Sequence, residues 1–212
     1  MEFALLALRA PSNIEKKVRD LQTSLYRLRG LASGRALPVI IPLCFLDPRS
    51  IPSKPEELRK SLRGALGKAA PFLTSGSVAE CDGFLYWDLS PRRELERLRR
   101  SCDAMFTHAE TEQGGRQSTR KPDLFPVARG FFLCSLQGRR KNTLPSTLSS
   151  VEVPEPLRFP AKGGFLLRLR SLGTEPGATT TPSSTGKSRS PWTALFWEKL
   201  EEIPLRKTRT EG

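Results

Sequence analysis

Short apolar runs alternate with longer segments whose apolar residues recur every three or four positions, and this alternation constrains the fold more than any other feature of the chain. Residues 3–8 form an unbroken apolar run that ends before Pro11, which predicts a buried strand. Residues 12–29 then carry one apolar stripe with the spacing of an amphipathic helix. That stripe consists of Ile14, Val18, Leu21, Leu25 and Leu28.

The alternation continues along most of the chain, which predicts an α/β or α+β architecture. Pro42 lies inside one of the apolar runs, and because proline cannot donate to a strand ladder it indicates an edge strand or a bulge. Further helices are predicted over residues 53–69 and 91–105. Further strands are predicted at residues 38–46, 74–78, 84–89, 130–136, 165–170 and 192–197, with a short extension at 203–205.

Two polar segments interrupt this pattern. Residues 107–126 and 171–191 are rich in Gly, Ser, Thr and charged residues and are predicted to be flexible insertions. Residues 206–212 form a polar tail. Residues 1–205 are therefore predicted to form a single domain, a size that fits one ordinary core.

The chain is strongly basic. It has 35 Lys and Arg residues against 22 Asp and Glu, a net charge of +13 that favours polyanionic partners. The excess is densest at residues 111–141, which hold seven basic and two acidic residues. Arginine binds phosphate oxygens bidentately, so this segment is predicted to bind RNA or nucleotides, with a solvated basic loop as the alternative. The predicted contact residues are Arg129, Arg139, Arg140 and Lys141.

A second basic cluster lies on the helix predicted at residues 91–105. Its arginines are interleaved with Glu94 and Glu96, so the cluster is interpreted as the solvent-exposed face of that helix. The cluster consists of Arg92, Arg93, Arg97, Arg99 and Arg100.

The cysteine and histidine content argues against several kinds of site. The four cysteines contain no Cys-x-x-Cys pair, and one histidine cannot complete a Cys/His zinc set, so no metal or cofactor is predicted. Free cysteines are readily buried, which favours four reduced thiols in a reducing compartment.

No apolar run approaches the roughly 20 residues that span a bilayer. Glu2 rather than a basic region precedes the first apolar run, so we expect a cytoplasmic protein with no membrane attachment.

The order of these elements resembles that of the two-histidine (2H) phosphoesterases, which include the 2′-5′ RNA ligase-like RNA 2′,3′-cyclic phosphodiesterases. Similar features are the first strand ending near Pro11, the amphipathic helix after it, the strand at 40–46, the strand-helix pair at 84–98, and the final Ile203-Pro204-Leu205. The resemblance covers nearly the whole chain. It implies an α+β, two-lobed fold with antiparallel sheets around a central cleft and helices on the outside.

In that family a His-x-Thr motif on each of two strands supplies an acid/base pair and two phosphate-holding hydroxyls. Residues i and i+2 of a strand share a face, so each motif points into the cleft. The matching positions here are Ile40 and Pro42 on one strand and Gly130 and Phe132 on the other. The single histidine, His108, lies near a helix end, so the catalytic groups are absent.

The same strand parity predicts that Cys44 lies on the face of Ile40 and Pro42, and that Cys134 lies on the face of Gly130 and Phe132. The cleft would then be apolar, with one thiol from each half deeper in it. Either these thiols form a disulfide switch or a small apolar pocket, or they are packing atoms in a filled cleft.

Three functions are compatible with this pattern. The first is a non-catalytic 2H-phosphoesterase-like protein that binds RNA or nucleotide ends through a basic rim. The second is an active phosphoesterase of the cyclic phosphodiesterase type that uses unfamiliar residues. The third is a protein-interaction module of the same fold whose apolar cleft docks a partner. Loss of both members of an acid/base pair, each worth roughly 10²–10⁴-fold, favours the first.

Overall fold

The described strands and helices follow one another in the predicted order, except for a two-residue strand at Arg158–Phe159 that the sequence did not predict. The computed structural model describes residues 2–31, 33–46, 51, 56, 59–60, 63–64, 70–112, 127–136, 151–161, 163–171 and 195–204. Within this part of the chain the strands are β1 (Glu2–Arg9), β2 (Ile40–Leu46), β3 (Phe72–Cys81), β4 (Phe84–Ser90), β5 (Gly130–Ser135), β6 (Arg158–Phe159), β7 (Gly163–Ser171) and β8 (Leu195–Pro204). The helices are α1 (Ser12–Arg29) and α2 (Arg92–Glu112), with a short 3₁₀ turn at Ser33–Ala36.

The strands form two antiparallel sheets of four strands each. Sheet A has the order β2-β1-β7-β8, and sheet B has the order β5-β4-β3-β6. β1 lies inside sheet A with both faces covered, which is why its apolar run is continuous rather than alternating. The strands predicted to resemble the two signature strands, β2 and β5, are each at the end of their sheet. The expected α+β fold with two sheets and outer helices is therefore confirmed.

The helices pack by the stripes that the sequence predicts, with one exception. On α1 the first four stripe residues are at most 2% exposed, but Leu28 is 49% exposed. Leu28 lies in the last turn of the helix, after which Gly30 adopts a left-handed φ of 64° and its N–H bonds to the carbonyl of Tyr26. Among the side chains of α2 that the structure describes, the buried ones are Leu95, Leu98 and Cys102.

Some predicted boundaries differ or fall outside the described residues. α2 continues to Glu112, so the polar segment predicted from residue 107 begins as helix. Residues 113–126, 172–194 and 205–212 lie outside the described part, as does most of the helix predicted at 53–69. The division into one domain, two insertions and a tail stays a prediction.

Two apolar clusters stabilise the fold. The outer cluster joins the buried stripes of both helices to one face of each sheet. The inner cluster contains strand residues from both sheets and Leu37, and none of the helix side chains that the structure describes. We refer to the strand faces in it as the inner faces. Its members are Phe3, Leu5, Ala7, Leu37, Ile40, Phe45, Phe84, Tyr86, Phe132, Leu167 and Leu169.

Candidate functional site

The two signature-like strands approach each other at the centre of the molecule. The backbone N–H of Ala128, just before β5, donates to the carbonyl oxygen of Pro42 on β2 at 2.7 Å. Ile40 pairs with Arg9, and Pro42 pairs with Ala7. Phe132 pairs with Tyr86 on the inner face of sheet B. Ile40 and Phe132 therefore lie on the inner faces of the two sheets.

Each of these strands contains a bulge. In β2 the register passes from Pro42 opposite Ala7 to Cys44 opposite Leu6, so Leu43 is the extra residue. Pro42 therefore marks both an edge strand and a bulge, as predicted.

The bulge in β5 has the corresponding place. Phe132 lies opposite Tyr86 and Cys134 opposite Leu85, which makes Leu133 the extra residue. An extra residue reverses the parity of a strand, so Cys44 and Cys134 point into the outer cluster. The prediction that the two thiols share the inner face with Pro42 and Phe132 is wrong for this reason.

The four positions predicted to line the cleft are buried. Ile40 is 1% exposed, Phe132 is 2% exposed, and Pro42 and Gly130 are also buried. Phe132 packs against the rings of Phe84 and Tyr86, with centroids 6.2 and 6.0 Å away. The side chains at Ile40 and Phe132 are thus part of a packed apolar cluster.

Gly130 has no space for any side chain. A Cβ at this position would lie 2.2 Å from the carbonyl oxygen of Trp87 and 2.9 Å from the Cα of Asp88. Both atoms belong to the backbone of β4, which cannot swing away as a side chain can. A side chain at position 130 therefore requires β4 and β5 to move apart.

A polar network borders Gly130 on sheet B. Asp88, which pairs with Gly130, accepts from Arg129 Nε at 3.1 Å and from Arg92 at 2.6 Å.

Burial raises the pKa of the Cys81 thiol, and the nearby Arg129 guanidinium partly opposes this. Burial also raises the pKa of Tyr86 far above its ordinary value. The phenol and thiol are therefore neutral at pH 7, whereas the guanidinium of Arg129 is positively charged.

Sheet A contributes a second group that the sequence reasoning missed. The ring of Phe165 lies under two cations, with Arg9 5.7 Å and Lys199 5.6 Å from its centroid. Both cations also pair with Glu202, at 2.5 Å and 2.6 Å. Arg9 is the inner-face neighbour of Ile40 across β1 and β2, so this group lies beside the first motif position. The sequence signal was an arginine ending the first apolar run, but its partners come from strands more than 150 residues away.

The predicted phosphate contacts are only partly described. Arg129 is half-buried and its guanidinium is held by Asp88. Arg139, Arg140 and Lys141 lie outside the described residues, as does the side chain of His108, whose backbone belongs to α2. In the part of the chain that the structure describes, no three His, Cys, Asp or Glu residues are grouped to hold a metal ion. None of the described helices is long and apolar enough to cross a membrane.

Comparison with solved structures identifies the architecture. No family model and no curated protein matches the sequence. The crystal structure of E. coli LigT complexed with 3′-AMP matches with a TM-score of 0.55 at 14% identity, covering 97% of this chain and 99% of that one. The chain has the LigT-like fold. The crystal structure of TT0787 of Thermus thermophilus also matches, with a TM-score of 0.51 at 17% identity over 97% of this chain and 99% of that one. The LigT-like fold is the one that the resemblance implies.

Proposed function

We propose that this chain is a non-catalytic protein of LigT-like fold that binds nucleotide or RNA ends between its two lobes. The observation that carries the proposal is Gly130, because its surroundings exclude a side chain at one of the two positions where a histidine would act. Ile40 supplies no imidazole at the other. Loss of an acid/base pair removes roughly 10²–10⁴-fold per member, which leaves no useful turnover.

The binding half of the proposal depends on the groups around the four buried positions. The LigT crystal structure contains 3′-AMP, a nucleotide with a terminal phosphate. In this chain Arg9 and Lys199 beside the half-buried ring of Phe165 combine cations with an aromatic face. Cations bind phosphate oxygens, and aromatic rings stack on bases. Arg129 offers a third cation from the opposite sheet, and Arg139, Arg140 and Lys141 remain proposed contacts.

Two measurements on the whole chain test this function. With 2′,3′-cyclic nucleotides as substrates, we expect hydrolysis at the rate of the buffer alone. With 3′-AMP in a calorimetric titration, we expect binding that weakens as KCl increases. Hydrolysis above the buffer rate would support the active phosphoesterase that uses unfamiliar residues. Absence of binding at low salt would rule out the nucleotide-binding function.

A matched pair of variants locates the binding. Phe165→Ala removes the ring between the two cations and should weaken 3′-AMP binding by roughly five-fold or more, given that stacking is worth about 1–3 kcal/mol. Phe196→Ala removes a ring of the same size from an exposed position on β8, 58% of which is accessible, and should leave the affinity unchanged. Equal effects of the two substitutions would contradict the proposed location.

One observation favours protein interaction as a second candidate function. The inner cluster is buried, so it gives no support for docking a partner in an apolar cleft. β8 instead ends sheet A and exposes Phe196 and Trp197, the latter 43% accessible. Exposed aromatic residues on an end strand are typical of partner surfaces. A protein captured by the chain after nuclease treatment, and lost with Phe196→Ser/Trp197→Ser, would support this candidate.

A further inference from the structure

The outer face of α2 forms a groove that the cleft does not include. Its volume is about 620 Å³. It lies on the side of the helix opposite to the buried residues Leu95, Leu98 and Cys102, and it borders Ala70 and Pro91. The remaining lining residues are Arg93, Glu94, Glu96, Arg97, Arg100 and Ser101.

The three arginines of this groove share one helix face. Arg93, Arg97 and Arg100 are spaced by four and three residues, which aligns them along the helix axis, and all three are exposed. At 1.5 Å per residue the first and last Cα atoms are about 10 Å apart. The arginines therefore form a ridge of positive charge on the face of the helix that the sequence predicts to be exposed to solvent.

The middle arginine is held in place from within the groove. Glu94 accepts from Arg97 Nε at 2.8 Å and from its terminal nitrogen at 2.6 Å. Glu94 also accepts the backbone N–H of Ala70 at 3.0 Å, which fixes the carboxylate. Arg93 and Arg100, in contrast, make no hydrogen bond or ion pair with any residue in the described part of the chain. Their guanidinium donors are available to a ligand.

The ridge is connected to the cleft through Asp88. This carboxylate binds Arg129, directly before β5, and Arg92, in the first turn of α2. Arg93 follows Arg92 directly. Positive side chains therefore continue from the inner face of sheet B to the outer face of α2, with one acidic residue joining them.

We propose that this arginine ridge binds the phosphodiester backbone of an RNA strand whose end lies between the lobes. The inference rests on the proposed function, since it is that function which places an RNA end beside Arg129. Guanidinium groups bind phosphate oxygens as planar forks, which favours phosphates as the ligand. A ridge of this length contacts successive phosphates without reading bases, so the binding is independent of sequence.

The experiment compares a mononucleotide with a longer RNA. Fluorescence anisotropy with a labelled single-stranded 12-mer is measured across a KCl series for the whole chain and two double variants. Arg93→Gln/Arg100→Gln removes the unpaired arginines of the ridge. Lys16→Gln/Arg27→Gln removes two exposed charges from α1 and is the matched control.

We expect the ridge variant to bind the 12-mer roughly ten-fold more weakly. For this variant, the logarithm of the association constant for the 12-mer should fall less steeply with the logarithm of the KCl concentration than for the parent chain. The slope should be shallower by about 1.4, which is about 0.7 for each lost phosphate contact. Its affinity for 3′-AMP should be unchanged. The control variant should keep the affinity and slope of the parent chain.

Other outcomes separate this inference from the function on which it rests. If 3′-AMP binds but the ridge variant behaves like the control with the 12-mer, the ridge proposal is wrong and the cleft function stands. If neither RNA nor 3′-AMP binds, both fail. Polyglutamate of equal charge serves as competitor, and if it displaces the 12-mer as well as unlabelled RNA does, the ridge is a general polyanion surface and the RNA proposal is overturned.

Discussion

The side-chain amide of Gln22 on α1 donates to the main-chain carbonyl oxygen of Phe132 on β5, 3.1 Å away. The same nitrogen donates to the carbonyl of Gly34 at 3.0 Å, and Arg19 donates to the amide oxygen at 3.0 Å. β5 is at the end of sheet B, so this side chain takes the place of a neighbouring strand. The buried side chain of Gln22 thus connects α1 to the 3₁₀ turn and to β5 through two hydrogen bonds from one nitrogen atom.

Replacing Gln22 should therefore destabilise the chain. Gln22→Met keeps the side-chain volume but leaves two buried carbonyls without this donor, and we expect the free energy of unfolding to fall by about 1–3 kcal/mol. Urea denaturation measures the loss. The control is Thr23→Val, whose hydroxyl donates only to the helix carbonyl of Arg19 and should cost about 0.5 kcal/mol or less. Equal stability of the two variants would show that the link contributes nothing.

Gly130 should tolerate no side chain. Gly130→Ala places a Cβ 2.2 Å from a backbone oxygen, and overpacking of this kind typically costs about 1–3 kcal/mol. Gly76→Ala on β3 is the control, because its Cβ would lie 3.9 Å from Pro156, an ordinary contact distance. Thermal unfolding of both variants gives the comparison. A Gly130→Ala chain as stable as Gly76→Ala would mean that the strands separate readily, and a histidine at 130 could then be accommodated.

The cysteines should differ in reactivity. Cys44, Cys102 and Cys134 are at most 2% exposed, whereas Cys81 is half-buried. With a maleimide under native conditions we expect Cys81 to be alkylated first, as mass spectrometry of peptides would show. Burial raises the pKa of this thiol, so its rate should keep increasing above pH 9.0, the ordinary value. All four should react in guanidinium chloride. Native alkylation of Cys44 or Cys134 at the rate of Cys81 would contradict the burial of these two thiols in the outer cluster.

Glu94 should make the fold sensitive to acid. Hydrogen bonds from Arg97, and then from the Ala70 backbone, hold the pKa of this carboxyl below its ordinary value of 4.5. A lowered pKa in the folded state means that the stabilisation is present above pH 4.5 and is lost as the pH falls through the folded value. Glu94→Gln should cost about 1 kcal/mol at pH 7 and reduce the loss of stability in acid.

The control for this titration is Glu155→Gln, which removes one exposed carboxylate that has no ion pair in the described residues. It should leave both the stability at pH 7 and its decrease in acid close to those of the parent chain. Chemical denaturation at pH values from 3 to 7 gives both quantities. If the free energy of unfolding of Glu94→Gln fell in acid just as that of the parent chain does, the lowered pKa assigned to Glu94 would be wrong.

The periodicity of apolar residues predicted β1 and α1 correctly, because the burial of each of these elements follows from its own sequence. The apolar run of β1 and the stripe of α1 are buried where the periodicity places them, and only the last stripe residue, Leu28, is exposed. Pro42 correctly indicated an edge strand with a bulge. The bulge in β5 had no such marker, because Leu133 is as compatible with a regular strand as with an irregular one. The wrong placement of Cys134 follows from that missing signal.

At the candidate site, too, some features could be predicted from the sequence and others could not. That Ile40 and Gly130 carry no imidazole could be stated from residue identities alone. That nothing larger than hydrogen fits at Gly130 could not, because the obstructing atoms belong to the backbone of a different strand. The group around Phe165 was missed for a related reason, since Arg9 and Lys199 meet only through the pairing of three strands.

The sequence by itself determined the order of the described helices and of every described strand except β6, together with the basic charge and the lack of a second histidine. These are properties of composition and short-range periodicity, which each segment carries without reference to the others. Tertiary structure alone decided which faces the cysteines share, which arginines are paired with carboxylates, and whether a side chain could return at Gly130. These depend on register and on distances between residues far apart in the chain, and one extra residue in a strand reverses them.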